Sequence, residues 1–321
     1  MKVCLIKTSS MGDILHTLPA LTDAKSALSD LQVDWVVEED FVEIPRWHAA
    51  VERVIPIALR RWRKSPCSAQ TRQEWQTYRT LLRRDQYDAV IDAQGLVKSA
   101  LFAARLARGT THGYDKYSIR EPLARFFYHR KYAISYQQHA VERIRQLFAR
   151  SLNYPSPDSY GDYGIARHFS HKTLQRETSP YIIFIHGTTR KDKCWLDIEW
   201  TKLARRLIER GYIIRLPWGN EADHQRALFI AQGGEHIQIL PRLSLTELAE
   251  QITHSAAVVS VDTGLAHLTA ALDKPNVTLY GATDPNLIGT YGKNQYHLHK
   301  TAMDQIYADE VFAKLLEIGI G

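Results

Sequence analysis

Short apolar runs alternate with amphipathic segments along the whole chain. Each run has the length of a buried strand, whereas the segments between them repeat their apolar residues every three or four positions, as helices do. In the first half the predicted strands are 3–7, 33–38, 53–58 and 88–93. The predicted helices of this half are 14–28, 75–82, 100–106 and 137–152. Strands that alternate with helices form a parallel sheet covered on both faces, so we expect an α/β fold.

The alternation stops at 151–164 (SLNYPSPDSYGDYG), a stretch with two prolines, two glycines and no periodicity. The later predicted elements are strands at 181–187, 212–219, 237–241, 257–262 and 276–281 and a last helix at 308–318. A break of this composition between two βα halves is typical of an interdomain linker. We therefore expect two Rossmann-like, doubly wound domains, 1–152 and 166–321, joined by a linker over 153–165, with a ligand cleft between them.

The length and composition fit two domains and exclude several other classes of protein. A chain of 321 residues is about twice the usual domain size, and 45% apolar with 24% charged residues is ordinary for a globular protein. The three cysteines lack metal-ligand spacing, which excludes a disulfide scaffold and a cysteine-based zinc site. No apolar run approaches the ~20 residues of a membrane span, and Lys7 interrupts the first run too early for a signal peptide. We therefore expect a cytoplasmic protein.

The net charge of +6 is concentrated in the first half of the chain. Residues 1–150 contain 24 Lys+Arg against 16 Asp+Glu, a net +8, whereas residues 151–321 contain 17 against 19, a net −2. Such a basic half usually meets nucleic acid, an anionic membrane or a phosphorylated substrate, the alternative being an ordinary solvated surface. Nucleic acid is disfavoured as a partner because this half has no recognition element and no aromatic-rich stacking strand.

Two loops of small and polar residues follow predicted strands and are suited to bind an anion at a helix N-terminus. In the first, 8–13 (TSSMGD), Asp13 is the only carboxylate, and it is either the helix N-cap or a general base. In the second, 262–267 (DTGLAH), amides and side-chain donors suit a phosphate, the alternative being a capped helix with His267 packed inside. The chain has no G-x-G-x-x-G or Walker sequence, which disfavours dinucleotide and P-loop sites.

Further cations collect elsewhere in the chain. Residues 186–193 (HGTTRKDK) combine hydroxyls and cations in a way that suits a diphosphate, or they form an exposed charged loop. Residues 60–64 (RRWRK) carry four cations after a strand. Single candidates in the basic half are Lys98, Arg120, His139 and Arg143. The fourteen histidines show no HExxH spacing, and a structural role is favoured for the pair His297 and His299. No metal site is therefore predicted.

Longer stretches identify a family. In the first half these stretches are KTSSMGDILHTLPALTDA (7–24), VDWVVEE (33–39), WHAAVERVIPIALRRWRK (47–64) and YDAVIDAQGLVKSA (87–100). In the second half they are LPWG (216–219), VSVDTGLAHLTAALDKPNVTLYG (259–281) and DPNLIGTYGKNQ (284–295). Together they cover nearly the whole chain, and they resemble the lipopolysaccharide heptosyltransferases of glycosyltransferase family 9. VDTGLAH is typical of the wider family, whereas RRWRK and DAQGLVKSA indicate the branch that adds the first heptose.

The resemblance implies a GT-B fold, in which two Rossmann-like domains flank a cleft, and an inverting glycosyltransferase that needs no metal or cofactor. The implied reaction moves L-glycero-D-manno-heptose from ADP-heptose to the inner Kdo of Kdo-lipid A. Its partners are these two substrates and the anionic inner leaflet, so we expect peripheral attachment to the cytoplasmic face of the inner membrane. The alternatives are a sibling heptosyltransferase acting on an already heptosylated core and a non-catalytic protein that binds anionic lipid.

The resemblance also implies roles for the candidate residues. Asp13 falls on the family's general base. The implied donor-binding residues are Thr188, Thr189, Lys193, Asp223, Leu243, Asp262, Thr263, Gly264 and His267. Of these, Asp223 and Leu243 stand where the family has an acidic residue and a methionine. The residues expected to hold the carboxylates and phosphates of the acceptor are Arg60, Arg61, Arg63, Lys64, Lys98, Arg120, His139 and Arg143.

Overall fold

The computed structural model describes residues 1–170, 179–232 and 234–320. The chain divides into two compact units, Met1–Gly164 and Ile165–Gly321, called unit 1 and unit 2 below. All residues of unit 1 are described, whereas unit 2 is described within the ranges just given.

Unit 1 is built on a six-stranded parallel sheet. Its strands are β1 (Lys2–Ile6), β2 (Gln32–Glu38), β3 (Val51–Ile57), β4 (Ala89–Asp92), β5 (Thr111–Tyr114) and β6 (Arg130–Tyr132). They lie in the order β3-β2-β1-β4-β5-β6, and Leu5 of β1 is paired with Trp35 on one side and Ile91 on the other. After β1 the chain adds β2 and β3 toward one edge of the sheet, and after β4 it adds β5 and β6 toward the other edge, as in Rossmann-like sheets.

The helices of unit 1 cover both faces of this sheet. They are α1 (Met11–Leu15), α2 (Leu18–Ala27), α3 (Glu43–Arg46), α4 (Leu59–Trp62), α5 (Ala69–Leu82), α6 (Val97–Ser99) and α7 (Ala140–Leu152). The prediction of one helix over 14–28 is wrong, because α1 and α2 are separate. Pro19 occupies the first turn of α2, where its missing N–H costs nothing, and it therefore starts a new helix.

Unit 2 repeats the same topology within its described residues. Its strands are β7 (Tyr181–Ile185), β8 (Ile213–Leu216), β9 (Ile237–Ile239), β10 (Ala257–Val261), β11 (Asn276–Tyr280) and β12 (Gln295–His299). Its helices are α8 (Ala166–Ser170), α9 (Asp197–Ile208), α10 (Glu221–Ala231), α11 (Leu245–His254), α12 (Gly264–Ala271), α13 (Pro285–Ile288) and α14 (Ala308–Glu317). The parallel strands lie in the order β12-β11-β10-β7-β8-β9, so the direction of winding changes between β7 and β10. The predicted fold class, two Rossmann-like α/β domains, is confirmed.

The sheets supply the cores of both units. In unit 2 every residue of β7, β10 and β11 is buried, and Trp200 of α9 packs against them with its ring 4.9 Å from Phe184 and 4.8 Å from Trp195. Aromatic pairs at such distances add to the free energy of burial. Among the described helices, none combines the length and the apolar character that crossing a membrane requires.

The segment interpreted as a linker, 153–165, lies mostly in unit 1, since the division falls between Gly164 and Ile165. Part of this segment is packed against the rest of the protein, because Tyr154 and Tyr163 are buried. The domain limits drawn from the sequence stay a prediction.

His48, buried in unit 1, gives the free energy of unfolding a dependence on pH. Its Nδ1 accepts the N–H of Ala50 at 3.1 Å, so the proton of the neutral ring lies on Nε2, 3.0 Å from the Thr22 hydroxyl. Burial lowers the pKa of His48 from 6.5 to about 4. Between these values the unfolded chain binds a proton that the folded chain does not, so stability falls as the pH drops. We expect a loss of about 2 kcal/mol from this group between pH 7 and 4.5.

Denaturant unfolding at both pH values checks this expectation. His48→Asn keeps an acceptor for the Ala50 amide but does not titrate, so the difference between the two pH values should shrink in the variant. An equal pH dependence in variant and wild type contradicts the assignment to His48.

Candidate active site

Asp13 lies in the first turn of α1, directly after β1. Ser10, not Asp13, is the N-cap residue, so the alternative role of Asp13 as the N-cap is wrong. Asp13 Oδ2 accepts the backbone N–H of Ser10 at 2.9 Å and its hydroxyl at 3.0 Å, which orients the carboxylate. Oδ1 lies 3.5 Å from Nζ of Lys7, and the Asp13 side chain is 46% exposed. The carboxylate is therefore fixed in direction and accessible to a ligand.

The loop that carries this carboxylate is held by the end of the neighbouring strand β4. Gln94 follows β4, and its Oε1 accepts the N–H groups of Thr8 at 2.9 Å and Ser9 at 3.1 Å. Asp92 fixes Gln94 in turn, since its Oδ1 accepts the Gln94 N–H at 2.9 Å. Open α/β sheets bind ligands at the point between β1 and β4 where the strand order reverses. Sequence analysis missed Gln94, although its position directly after the predicted strand 88–93 was a usable signal.

A cavity of about 330 Å³ in unit 1 brings together three of the predicted acceptor residues, Arg60, Arg63 and Lys98. The other lining residues that define its character are Arg72, Glu38, Trp62, Trp75 and Phe102. Trp62 and Trp75 touch edge to face with their rings 5.8 Å apart. The cavity thus combines four cations with an aromatic lining, a combination suited to an anionic ligand that also has apolar surface.

Glu38 is the acidic residue of this cavity, all of whose lining belongs to the fully described unit 1. It ends β2 and is buried, and its Oε2 has no hydrogen-bond partner among the described atoms. Burial raises the pKa of Glu38, while Arg60 and Lys98 oppose the rise. A buried acceptor without a partner is costly unless a ligand donates to it. Sequence analysis missed Glu38, and its place at the carboxyl end of a parallel strand was the signal.

Arg61 and Lys64 do not line this cavity. The Arg61 guanidinium pairs with Glu39 at 2.8 Å and with Glu74 at 2.9 Å. These carboxylates raise the pKa of Arg61 above its usual value. Because exposed pairs of this kind are weak, an anionic ligand can exchange with them. Lys64 is exposed.

The remaining acceptor candidates do not line this cavity. His139 is the N-cap residue of α7, and its ring lies 5.3 Å from that of His16 at the end of α1, which brings it close to the Asp13 helix. Arg143, one turn further along α7, donates to the carbonyl of Ser118 at 2.7 Å and lies 4.1 Å above the ring of Tyr136. Arg120 is exposed in the loop after β5.

Three donor candidates of unit 2, Thr188, Lys193 and Asp262, meet at the corresponding switch point, between β7 and β10. Lys193, in the loop after β7, places its Nζ 2.5 Å from Oδ2 of Asp262, which follows β10. Thr188 donates to the main-chain carbonyl of Asp262 at 3.5 Å. Another cation of the 186–193 stretch, Arg190, pairs instead with its exposed neighbour Asp192. Within this stretch, Lys193 is therefore the cation whose side chain contacts the residue that follows β10.

Helix α12 begins immediately after this contact. Thr263 is its N-cap residue in extended conformation, without a side-chain capping bond in the described structure, and Gly264 is its first residue. His267 is buried on the same helix. The N-terminal amides of α12 thus face the loop ends of β7 and β10, the arrangement that binds phosphate in many α/β proteins. Thr189 is exposed in the β7 loop.

Asp223 and Leu243 follow β8 and β9. Asp223 lies in the first turn of α10 and accepts from the Asn220 amide at 2.8 Å. A Cβ on Gly187 would lie 2.6 Å from Asp223 Oδ1, so a larger residue at position 187 would require the Asp223 side chain to move. Leu243 is half-buried and directly precedes Ser244, the N-cap residue of α11.

Within the described parts of the chain, no three His, Cys, Asp or Glu side chains are grouped as metal ligands. In β12, Nε2 of His297 forms a hydrogen bond with the carbonyl oxygen of Thr290 at 3.0 Å. Nε2 of His299 forms one with the carbonyl oxygen of Gly281, also at 3.0 Å. These bonds tie β12 to neighbouring loops.

The model of the family described as Glycosyltransferase family 9 (heptosyltransferase) matches residues 75–310. Lipopolysaccharide heptosyltransferase 1 of Salmonella typhimurium (strain LT2) is 56% identical over 295 residues, which cover 92% of this chain and 93% of that protein. The structure of E. coli heptosyltransferase WaaC with ADP superposes with a TM-score of 0.96 at 52% identity and covers 99% of each chain. The structure of the same E. coli protein with ADP-2-deoxy-2-fluoro heptose gives a TM-score of 0.93 at 51% identity, over 99% of this chain and 100% of that one. On this combination of sequence, fold and family match, the chain belongs to glycosyltransferase family 9, the heptosyltransferases.

Proposed function

We propose that the protein transfers L-glycero-D-manno-heptose from ADP-heptose to the inner Kdo of Kdo-lipid A with inversion of the anomeric configuration. The observation that carries the donor assignment is the likeness over 99% of the chain to a heptosyltransferase structure that contains ADP-2-deoxy-2-fluoro heptose. The acceptor assignment draws on the 56% identity to lipopolysaccharide heptosyltransferase 1 and on the basic cavity of unit 1.

In the proposed mechanism Asp13 is the general base. It accepts the proton of the acceptor hydroxyl as that oxygen attacks the anomeric carbon from the face opposite ADP, a role that requires an ionised and accessible carboxylate. Lys7 Nζ at 3.5 Å and the two bonds from Ser10 fix the orientation of this carboxylate. The bond to the ADP oxygen breaks as the new glycosidic bond forms, so the transition state has oxocarbenium character.

Unit 2 stabilises the diphosphate that leaves. Negative charge grows on ADP in the transition state, and the Lys193 ammonium with the amides at the start of α12 lies where the donor candidates converge. Thr188, Thr189, Asp262 and His267 supply further polar contacts in this proposal. Because these groups provide the positive charge, we propose a reaction that uses ADP-heptose as substrate and needs no metal ion or cofactor.

The acceptor binds to unit 1 in this proposal. The anionic sugars of Kdo-lipid A carry carboxylates and phosphates, which pair with the cations of the cavity and with Arg61, Lys64, Arg120, His139 and Arg143. In this proposal Oε2 of Glu38, which has no partner among the described atoms, accepts a hydrogen bond from a hydroxyl of the same ligand. Since this acceptor is a membrane lipid, the enzyme works as a peripheral protein on the cytoplasmic face of the inner membrane.

The direct test is ADP release from ADP-heptose with de-acylated Kdo-lipid A, in the presence and absence of EDTA. We expect acceptor-dependent release that EDTA does not change, and an NMR spectrum of the product with the anomeric configuration opposite to that of the donor. Release with an already heptosylated core alone would favour a sibling heptosyltransferase. Lipid binding without any release would favour a non-catalytic lipid-binding protein.

A further inference from the structure

An exposed apolar pair projects from a short 3-10 helix of unit 1 that the proposed chemistry does not use. The helix spans Pro122–Phe127 and lies between β5 and β6. Leu123 is 66% exposed and Phe126 is 69% exposed. In a 3-10 helix the side chains at positions i and i+3 eclipse, so these two form one apolar face. Large apolar side chains that share an exposed face usually mark an interaction site.

The surroundings of this face are positively charged. The Arg125 guanidinium lies 4.7 Å above the ring of Phe126, and Lys116 Nζ lies 4.4 Å above the ring of Tyr117, which is itself exposed. Arg120 lies between the two pairs in sequence and is exposed. Lys116 and Arg125 therefore each accompany an aromatic side chain, as in protein segments that bind the interface of a bilayer.

The acidic residues of the same segment are occupied by main-chain donors. Asp115 Oδ1 accepts the N–H groups of Tyr117 at 3.1 Å and Ser118 at 3.0 Å. Glu121 Oε2 accepts the N–H of Val97 at 2.7 Å. The carboxylates thus hold the segment to unit 1, and the three cations Lys116, Arg120 and Arg125 outnumber them.

The segment is firmly built into unit 1. Ile119, Ala124 and Tyr128 are buried, and the Tyr128 hydroxyl donates to Asp92 at 2.8 Å. Val97, which Glu121 binds, directly precedes Lys98 of the acceptor cavity. The exposed face is therefore presented on a fixed support that continues into the predicted acceptor site.

We propose that residues 116–126, with Leu123 and Phe126 at the centre, are the surface that docks on an anionic lipid bilayer. The two apolar side chains enter the boundary between headgroups and acyl chains, and Lys116, Arg120 and Arg125 pair with lipid phosphates. This inference rests on the proposed function only in that the acceptor is a membrane lipid. Docking here holds the cavity against the headgroup layer in which the acceptor sugars lie.

Co-sedimentation with vesicles tests the proposal, using phosphatidylethanolamine with phosphatidylglycerol and, separately, phosphatidylcholine alone. We expect binding to the anionic vesicles that weakens with salt, and a fall of about tenfold or more in partitioning for the double variant L123S/F126S. The matched control is L228S/F229S on α10 of unit 2, whose side chains are 42% and 46% exposed, and it should bind like wild type.

Activity with two acceptors separates docking from catalysis. L123S/F126S should keep its rate with de-acylated, water-soluble acceptor and lose rate with acceptor embedded in vesicles. Equal vesicle binding by wild type and L123S/F126S overturns the proposal, as does equal loss of rate with both acceptors. Loss of self-association in the variant without vesicles overturns it in favour of a second copy of the chain. If the protein binds vesicles through this face but transfers no heptose to any acceptor, the docking surface is supported and the proposed function is refuted.

Discussion

Replacing Asp13 with asparagine is expected to lower kcat about 10²–10⁴-fold while the affinity for ADP-heptose stays near that of wild type. The amide oxygen of asparagine can still accept the two bonds from Ser10, so the loop keeps its shape. What the variant loses is the ability to take a proton from the acceptor hydroxyl. The measurement pairs steady-state kinetics of ADP release with calorimetric titration of the donor.

Ser10→Ala is the matched control for this prediction. It removes the hydroxyl bond to Asp13 Oδ2 and keeps both the Ser10 N–H bond and the carboxylate, so kcat should fall far less than in Asp13→Asn. If Asp13→Asn retains the wild-type kcat, Asp13 only stabilises the first turn of α1 and the base is another group. If the variant loses donor binding as well, its effect is structural.

The strand pattern predicted the topology well because the central strands carry most of the apolar burial. β1, β7 and β10 are mostly apolar, with Lys2 at the start of β1 and Ser260 inside β10, and each is followed by a loop of small and polar residues. In a parallel sheet such loops all end at the same edge, and those after the first and fourth strands meet at the switch point. The proximity of Lys193 to Asp262, 69 positions apart, follows from this topology.

Three strands, β5 (THGY), β6 (RKY) and β12 (QYHLH), were not predicted from the sequence, whereas the edge strands β3 and β9 were. The three unpredicted strands lack a continuous apolar run. Their ladder bonds come from the main chain and leave no hydrophobic signal. The break between α1 and α2 was not predicted because the apolar positions of both helices continue one pattern, although Pro19 was a usable signal.

The basic cavity of unit 1 could not be predicted from local sequence patterns either. Arg60 and Lys98 were predicted as acceptor-binding cations. The aromatic residues that line the same cavity come from three separate elements: Trp62 from α4, Trp75 from α5 and Phe102 from the π-helix Ala100–Ala104. Each aromatic residue alone predicts only core packing. Their shared cavity depends on how α4 and α5 pack, which no local pattern encodes.

Replacing Lys193 with glutamine is expected to lower kcat/KM for ADP-heptose about 10²–10³-fold, the usual effect of removing one electrostatic contact to a transition-state charge. Glutamine keeps most of the side-chain length but not the positive charge. Because negative charge on the diphosphate is larger in the transition state than in the bound donor, kcat should fall along with affinity. Lys193→Arg should recover part of the rate, since the charge returns in a different geometry.

The matched control is Lys191→Gln, which removes the same charge two positions earlier in an exposed side chain of the same loop. It should change kcat/KM by less than about threefold, because a screened surface charge has little effect at the site. Asp262→Asn adds a second check: the Lys193 ammonium, 2.5 Å from Asp262 Oδ2, loses its ionic partner, and the variant should alter donor affinity without reproducing the full loss of Lys193→Gln. Equal effects of Lys191→Gln and Lys193→Gln would mean that the loop acts only through its total charge. The specific role of Lys193 rests on their difference, because only the contact across the switch point distinguishes these two lysines.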